Sequence, residues 1–314
     1  MGERPRVLAI GGVTASGKSR LGLALARELV GEIVSADSAQ VYRGMDIGTD
    51  KPDAASRGLV PHHLLDIRAP DAPFSVAEYQ RLADAAIAGI ASRGHAALLV
   101  GGTGLYLRQV LRGAQLPPAP PQPDLRARLE REPPAALYAE LARADPEAAR
   151  RIHPHNVRRV IRALEILAVT GQPASSFAAV PRPRYPHLLV VLDRPADVLR
   201  ARIAARVERM LARGLVDEVR ALLARGLDPA APGLSALGYR QTVAHLRGAG
   251  TRAELAAAIA AATWGYARRQ RTWFRREPDA VWIDLEDGPA EAALPRVLAL
   301  WRGTSRGDPP TGPA

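Results

Sequence analysis

Residues 11–19 read GGVTASGKS, in which Gly12, four residues and then Gly17-Lys18-Ser19 have the spacing of a phosphate-binding loop. The apolar run RVLAIGGV (6–13) before it reads as a buried parallel strand, and SRLGLALARELVG (19–31) reads as a helix. In that helix Leu21, Leu25 and Leu29 share one face, and Gly31 is expected to end the element. A glycine-rich turn opening into a helix presents backbone N–H groups and the positive end of the helix dipole to an anion. Here the cradle is Gly12, Thr14, Ala15, Ser16, Gly17, Lys18 and Ser19. Lys18 adds a mobile charge, and the Ser19 hydroxyl is placed to ligate a Mg2+ ion bridging phosphate oxygens. The pattern implies a phosphate site and leaves open whether the phosphates belong to a nucleotide or to another diphosphate.

The neighbouring segments extend the pattern. EIVSADS (32–38) is a second strand, VAEYQRLADAAIAGIASRG (76–94) an amphipathic helix stopping at Gly94, and HAALLVGGTGLYLRQVL (95–111) a strand, a glycine turn and a helix. Alternation of this kind implies an α/β fold, a P-loop NTPase-like parallel sheet whose functional groups collect at the C-terminal strand ends. Five prolines in GAQLPPAPPQPD (113–124) interrupt it, residues 125–170 read as helical, and PASSFAAVPRPRYP (173–186) forms a second joint. HLLVVLD (187–193) returns to strand, so an all-helical domain at 114–185 is inserted into a core made of 1–113 and 186–302. Residues 196–225 and 251–276 are expected to be helical, VWIDL (281–285) a late strand, and 303–314 a disordered tail.

Composition narrows the class. The 314 residues contain no cysteine, which excludes disulfides and cysteine-ligated metal, and the seven histidines show no H-x-x-x-H pair. No run approaches the roughly 18–20 apolar residues of a membrane span, and the N-terminus lacks a signal-peptide pattern, so a cytoplasmic protein is expected. The net charge of +11 points to a polyanionic partner. All 43 basic residues except Lys18 and Lys51 are arginine, which makes a lysine at the loop's charged position a choice of a compact point charge.

Two further signals lie at strand ends. In SADSAQVYRGMDIGTDKP (35–52), Asp37 directly follows the second strand, where it either caps the next element or serves as a base or metal-orienting group. In LLVGGTGLY (98–106) the strand ends Gly101-Gly102-Thr103, without the acid by which a nucleotide hydrolase holds its metal.

Together GGVTASGKS, SADSAQVYRGMDIGTDKP, HHLLDI (62–67), LLVGGTGLYL, ALGYRQ (236–241) and RRQRTWFR (268–275) closely resemble the tRNA dimethylallyltransferases, in the family's order and over about residues 6–285. The resemblance implies that the loop holds the diphosphate of dimethylallyl diphosphate, with Arg220 also reaching it. It implies that Asp37 is the base and Thr103 assists at the reacting centre. The acceptor would be N6 of adenosine 37 in a tRNA anticodon stem-loop, unstacked into the pocket. By the same resemblance Asp37, Ser38, Ala39 and Gln40 contact the base, Gln40 through its edge. Thr103, Arg126, Arg158, Arg159, Arg162, Gly238, Tyr239, Arg240 and Gln241 contact tRNA.

The insertion suits such a partner: residues 114–185 hold 11 Arg against 7 acids, a net charge of +4. In HNVRRVIRALEIL (155–167) the stripe Val157, Val160, Ile161, Leu164 and Leu167 leaves the arginines on other faces. Val13 departs from the family, which usually has proline after the first glycine. Without cysteine there is no C-terminal zinc finger, as in bacterial members. The expected enzyme is a monomer requiring Mg2+. A small-molecule P-loop kinase, a prenyltransferase of free AMP or ADP, and a non-enzymatic RNA-binding protein are the competing readings.

Overall fold

In the computed structural model, which describes residues 4–113, 116–177 and 183–303, the chain divides into two compact units. One is Met1–Leu111 with Arg184–Ala314, and the other is Arg112–Pro183. In the first, strands β1 (Val7–Gly12), β2 (Gly31–Ser35), β3 (His62–His63), β4 (Ala96–Val100), β5 (His187–Asp193) and β6 (Ala280–Asp284) form one parallel sheet, ordered β3-β2-β4-β1-β5-β6. Helices α1 (Lys18–Glu28), α2 (Ala54–Leu59), α3 (Val76–Ser92) and α4 (Gly104–Leu111) connect its first half. The second unit follows with α5 (Pro123–Leu129), α6 (Pro134–Ala144), α7 (Pro146–Arg151) and α8 (Val157–Thr170). The chain then returns through α9 (Ala196–Ala212), α10 (Leu215–Ala224), α11 (Tyr239–Leu246), α12 (Arg252–Phe274) and α13 (Leu294–Gly303).

Strand β1 is buried along its whole length because both faces of the sheet are covered. Successive residues go to opposite faces. Val7 and Ala9 pack with Val34, Leu99 and Val191 against Tyr79, Ile87 and Leu107 of α3 and α4. Leu8 and Ile10 pack with Ile33, Leu98 and Val190 beneath Leu21 and Leu25 of α1. A third cluster joins Val41, Tyr42 and Met45 to Leu199, Ile203 and Val207 of α9 and to Leu215 and Tyr239, which anchors the segment that follows β2. Each such aliphatic chain contributes about 1.5–3 kcal/mol on burial.

Several local expectations shift. Val30, at φ 47°, makes the left-handed turn after α1, and Gly31 opens β2, where a β-carbon would stand 2.5 Å from the Leu98 side chain. The helix expected over 196–225 breaks at Gly214, φ 95°. The unit boundary falls at 112 and 184, because Arg184 N–H donates to the Leu111 carbonyl at 2.7 Å and the Tyr185 hydroxyl donates to Asp84. Gly303 closes α13, so the tail expected to be disordered, from 304 onward, lies outside the described residues, as do 178–182 of the second proline-rich joint. Among the described residues no helix is long and apolar enough to cross a membrane.

Candidate active site

The phosphate loop leaves the C-terminal end of β1, at the centre of the sheet. Gly12 adopts φ 131°, and a β-carbon there would stand 2.3 Å from the Leu192 carbonyl oxygen; Gly17, at φ 104°, caps α1. The loop's carbonyls are occupied by protein donors. Lys18 Nζ donates to Val13 O (2.7 Å), Arg202 Nε to Ala15 O (3.0 Å), and Arg194 Nε to Ser16 O (3.0 Å). Arg206 Nη1 donates to Thr14 Oγ1 at 2.8 Å. Arg20 N–H donates to the Gly17 carbonyl at 3.1 Å, which leaves the N–H groups of Lys18 and Ser19 for an anion. Burial, and then the nearby Arg206 charge, push the Lys18 ammonium down to about 7, while Asp37 acts in the opposite direction. The site therefore lacks a negative charge that would hold the ammonium protonated.

Ser19 lines, with Ser35, Gln40, Asp50 and Asp53, a cavity of about 450 Å³ beside the loop. Among the described residues no group of three or more His, Cys, Asp or Glu could hold a metal. The Ser19 hydroxyl at the start of α1 is the oxygen donor the loop would offer a divalent ion.

Asp37 and Thr103 come together because β2 and β4 are neighbours. Ala36 N–H donates to Val100 O (2.8 Å), Thr103 N–H to Ala36 O (3.0 Å), and Ser38 N–H to Thr103 Oγ1 (3.0 Å). Gly101 is glycine because a β-carbon would stand 2.1 Å from Ala36 O. Asp37 Oδ1 accepts from the N–H groups of Ala39 (2.8 Å) and Gln40 (3.3 Å), and Oδ2 has no hydrogen bond among the described residues. The Tyr266 phenol of α12 is pushed up to about 12 by burial and then by the Asp37 charge, with hydrogen bonds to Thr103 and Gln270 acting the other way. Burial likewise raises Tyr79 and Tyr106, whose rings stack 3.8 Å apart.

Gln40, which lines the same cavity, is engaged by its own loop. Its Nε2 donates to the carbonyls of Thr49 (3.2 Å) and Asp50 (3.3 Å), and its Oε1 accepts from Ser35 Oγ (3.0 Å). An amide so engaged braces the loop, and its Oε1 keeps one lone pair for a further donor. The same loop is latched twice more. Lys51 Nζ donates to Tyr42 O (2.6 Å), Asp46 (2.7 Å) and Asp66 (2.5 Å). The Glu218 carboxylate accepts from the N–H groups of Asp46, Ile47 and Gly48 and from the Tyr239 hydroxyl (2.6 Å).

Tyr239 is thus a buried brace, with no exposed surface to offer tRNA. Gly238 is buried too, and its N–H donates to Gln241 Oε1 in the cap of α11; Arg240 is exposed. Arg220 lies exposed on α10, paired with Asp217 one turn before it, and the guanidinium groups that reach the loop are those of Arg194, Arg202 and Arg206.

In the second unit, Arg126 and Arg162 turn inward. Glu165, fully buried on α8, accepts from Arg126 Nε and Nη2 (both 2.8 Å), from Arg162 Nη1 (2.5 Å) and from Gln122 N–H (2.6 Å). Those bonds, despite burial, lower its carboxyl to about 2. A buried carboxylate must be compensated, and this one takes two N–H donors of Arg126 and one of Arg162, whose Nη2 donates to the Ala119 carbonyl at 2.9 Å. Arg158 and Arg159 are exposed.

Arg194, Arg202, Arg206, Tyr266, Gln270 and Glu218 escape the sequence reading. The three arginines have no distinguishing mark in a chain this rich in arginine, whereas Gln270 stands inside RRQRTWFR with an arginine on either side.

Comparison with known proteins is consistent across the chain. The model of the family described as IPP transferase matches residues 40–277. A tRNA dimethylallyltransferase of Roseiflexus sp. (strain RS-1) is 49% identical over 299 residues, 94% of this chain and 98% of that one. Another, of Roseiflexus castenholzii, is 52% identical over 304 residues, with 95% and 98% covered. The structure of the full-length tRNA isopentenylpyrophosphate transferase of Bacillus halodurans superposes with a TM-score of 0.72 at 39% identity, covering 95% of this chain and 96% of that one. A eukaryotic dimethylallyltransferase acting on tRNA shares the fold, with a TM-score of 0.82 at 24% identity and coverage of 97% and 81%.

Proposed function

The chain belongs to the IPP transferase family, and from that premise we infer the chemistry of its residues. The protein transfers the dimethylallyl group of dimethylallyl diphosphate to tRNA and releases diphosphate. We propose that the acceptor is N6 of adenosine 37, presented by the anticodon stem-loop.

The observation that carries the assignment is the meeting of Asp37 and Thr103, joined through Ser38, at strand ends beside a phosphate loop whose carbonyls are engaged by protein donors. The diphosphate sits on the N–H groups at the start of α1 and on the Lys18 ammonium, which stabilise charge as it develops on the departing oxygen. Mg2+, held by Ser19 and the phosphates, would neutralise part of the leaving group's charge. An exocyclic amine delocalised into its ring is a weak nucleophile. Asp37, through Oδ2, orients N6–H and accepts its proton as the carbon–nitrogen bond forms. Thr103, whose hydroxyl already bonds Ser38, lies within the same hydrogen-bonded group and assists there. The adenine leaves its stack to enter, and exposed arginines such as Arg158, Arg159 and Arg240 meet phosphate. We propose a monomeric enzyme acting in the cytoplasm. The absence of an acid at the end of β4 argues against the kinase alternative.

Purified protein offered labelled dimethylallyl diphosphate with unmodified tRNA, AMP or no acceptor tests the reading, with ATP hydrolysis followed in parallel. Label entering only tRNA is expected. Label in AMP would move the protein to free-nucleotide prenylation, and ATP consumption without transfer would return it to the kinases. Asp37→Ala is expected to lower turnover by about 10²–10⁴ while tRNA affinity holds.

A further inference from the structure

We propose that Gln270 is a positioning residue that locks the donor site to the acceptor site through a single amide. The proposal rests on the transferase reading above and concerns a residue to which that reading gives no part.

Gln270 lies on α12 and is buried, 5% exposed. Its Oε1 accepts from the Thr14 N–H of the phosphate loop at 2.8 Å, and its Nε2 donates to the Gly102 carbonyl at 2.8 Å. Those partners fix the orientation of the amide, since exchanging its oxygen and nitrogen would set donor against donor and acceptor against acceptor. Residue 102 is glycine for this contact, because a β-carbon there would stand 2.3 Å from Gln270 Nε2. Gly102 leads directly into Thr103, whose hydroxyl accepts from Ser38 N–H, next to Asp37. One covalent and hydrogen-bonded line therefore runs Thr14, Gln270, Gly102, Thr103, Ser38, Asp37.

The chemistry of that line needs an amide. A neutral planar group that accepts on one side and donates on the other satisfies both backbones without bringing charge beside the diphosphate. Asparagine is a methylene shorter, and arginine or lysine accepts nothing. By engaging the Thr14 N–H, Gln270 also takes that donor out of the phosphate cradle and fixes the loop's entry. The distance from leaving diphosphate to acceptor amine is thereby set by α12. Errors of about 1 Å in such a distance cost on the order of 10² in rate.

The test measures transfer of labelled dimethylallyl groups to unmodified tRNA by wild type, Gln270→Met and Gln270→Glu, together with Tm. Dissociation constants for inorganic diphosphate and for tRNA are measured separately. Gln270→Met removes both backbone bonds, and the Tyr266 hydrogen bond with them, at similar volume. Its kcat is expected to fall about 10²-fold, with both dissociation constants within about threefold of wild type. Gln270→Glu supplies a rescue that a space-filling role would not show. A protonated carboxyl accepts from Thr14 and donates to Gly102, whereas an ionised one cannot donate. Its kcat is expected to approach wild type at the acid end and to fall about tenfold per pH unit above its ionisation, a limb absent from the wild-type profile. The neighbouring Tyr266 phenol, at about 12, stays neutral throughout, and a carboxylate at position 270 would keep Lys18 charged to higher pH, which opposes the limb and does not produce it.

A Gln270→Met enzyme with wild-type kcat, or one whose loss is fully matched by weaker diphosphate binding, overturns the proposal. If that variant does not fold, the pH limb of Gln270→Glu decides alone, and its absence overturns the proposal. Wild-type protein that transfers no label overturns the transferase reading and the clamp with it. Transfer by wild type and an unimpaired methionine variant removes the clamp only.

Discussion

The indole of Trp273 occupies the space that a side chain at residue 104 would need: a β-carbon on Gly104 would stand 2.2 Å from the ring. The last turns of α12 lie directly on the bare glycines of two strand ends, with Phe274 over Gly11 at 2.8 Å and Gln270 over Gly102 at 2.3 Å from the corresponding β-carbons. Arg108 stacks on the outer face of the same indole, 4.1 Å from its centroid, and pairs with Glu277. Those glycines admit α12 to the reacting centre. Gly104→Ala is expected to cost about 1–3 kcal/mol through overpacking, read as a lowered Tm, and to depress transfer as the Thr103 turn is pushed off its helix. An alanine variant with unchanged Tm and rate would show that the indole moves aside freely.

On the proposed function, Lys18 makes donor binding a protonation event. In the free protein burial holds the ammonium at about 7, so near pH 8 the group is largely neutral, and a bound diphosphate favours its charged form. Binding is expected to take up close to one proton through this group at pH 8. Calorimetry of diphosphate binding in buffers of different ionisation enthalpy measures it, with Lys18→Met subtracting the ligand's own protons. The sign for folding is the reverse of the usual lysine case. With the folded value below the unfolded 10.5, the unfolded chain binds more protons between about 7 and 10.5, so this group's contribution to stability rises with pH in that window. Equal uptake by wild type and variant would mean that Lys18 is already charged.

Lys51 is the second lysine of the chain and the counterpart of the first in burial. Its three ammonium protons meet three oxygens, and its side chain is 1% exposed. A planar guanidinium cannot reproduce that tripod. Lys51→Met is expected to cost about 1–3 kcal/mol, because it leaves the Tyr42 carbonyl without its donor while Asp46 and Asp66, 57% and 32% exposed, stay solvated, and Lys51→Arg should recover little of it. Denaturant unfolding gives the first quantity. The KM for tRNA gives the second consequence, since the loop that carries Asp37 and Gln40 is tied down at Lys51.

What could be read in advance follows from which interactions are local. The strand, glycine loop and helix around Lys18 declare themselves in a few consecutive residues, and Asp37 and Thr103 follow because strand ends in a parallel sheet share an edge. The groups that hold these residues were hidden for a physical reason. Arg194, Arg202 and Arg206 reach the loop from about 180 to 190 positions away, and nothing in their neighbourhood separates them from the other arginines. His62-His63 form only a two-residue edge strand, too short for any alternation to show. Glu165 is a charged residue in the middle of an apolar helix face, where an apolar pattern places none, and missing it sends Arg126 and Arg162 outward when they turn in.

That inward turn separates two kinds of arginine in the second unit. Arg158→Glu with Arg159→Glu is expected to weaken tRNA binding and to reduce the slope of log K against log salt by roughly one for each phosphate no longer neutralised, with Tm unchanged because both side chains are exposed. Arg162→Glu should behave in the opposite way. It sets a second carboxylate beside buried Glu165, so the unit loses stability, and any loss of tRNA affinity follows from that. Acid provides an independent check on the same group. Glu165 is held at about 2 against an unperturbed 4.5, so its contribution is fully present above about pH 4.5 and is lost as pH falls toward 2. Unfolding followed between pH 5 and 2 should therefore show the Glu165→Gln protein already weakened at pH 5 and converging on wild type as the acid limb is descended. Parallel curves that never converge would place the titrating group elsewhere.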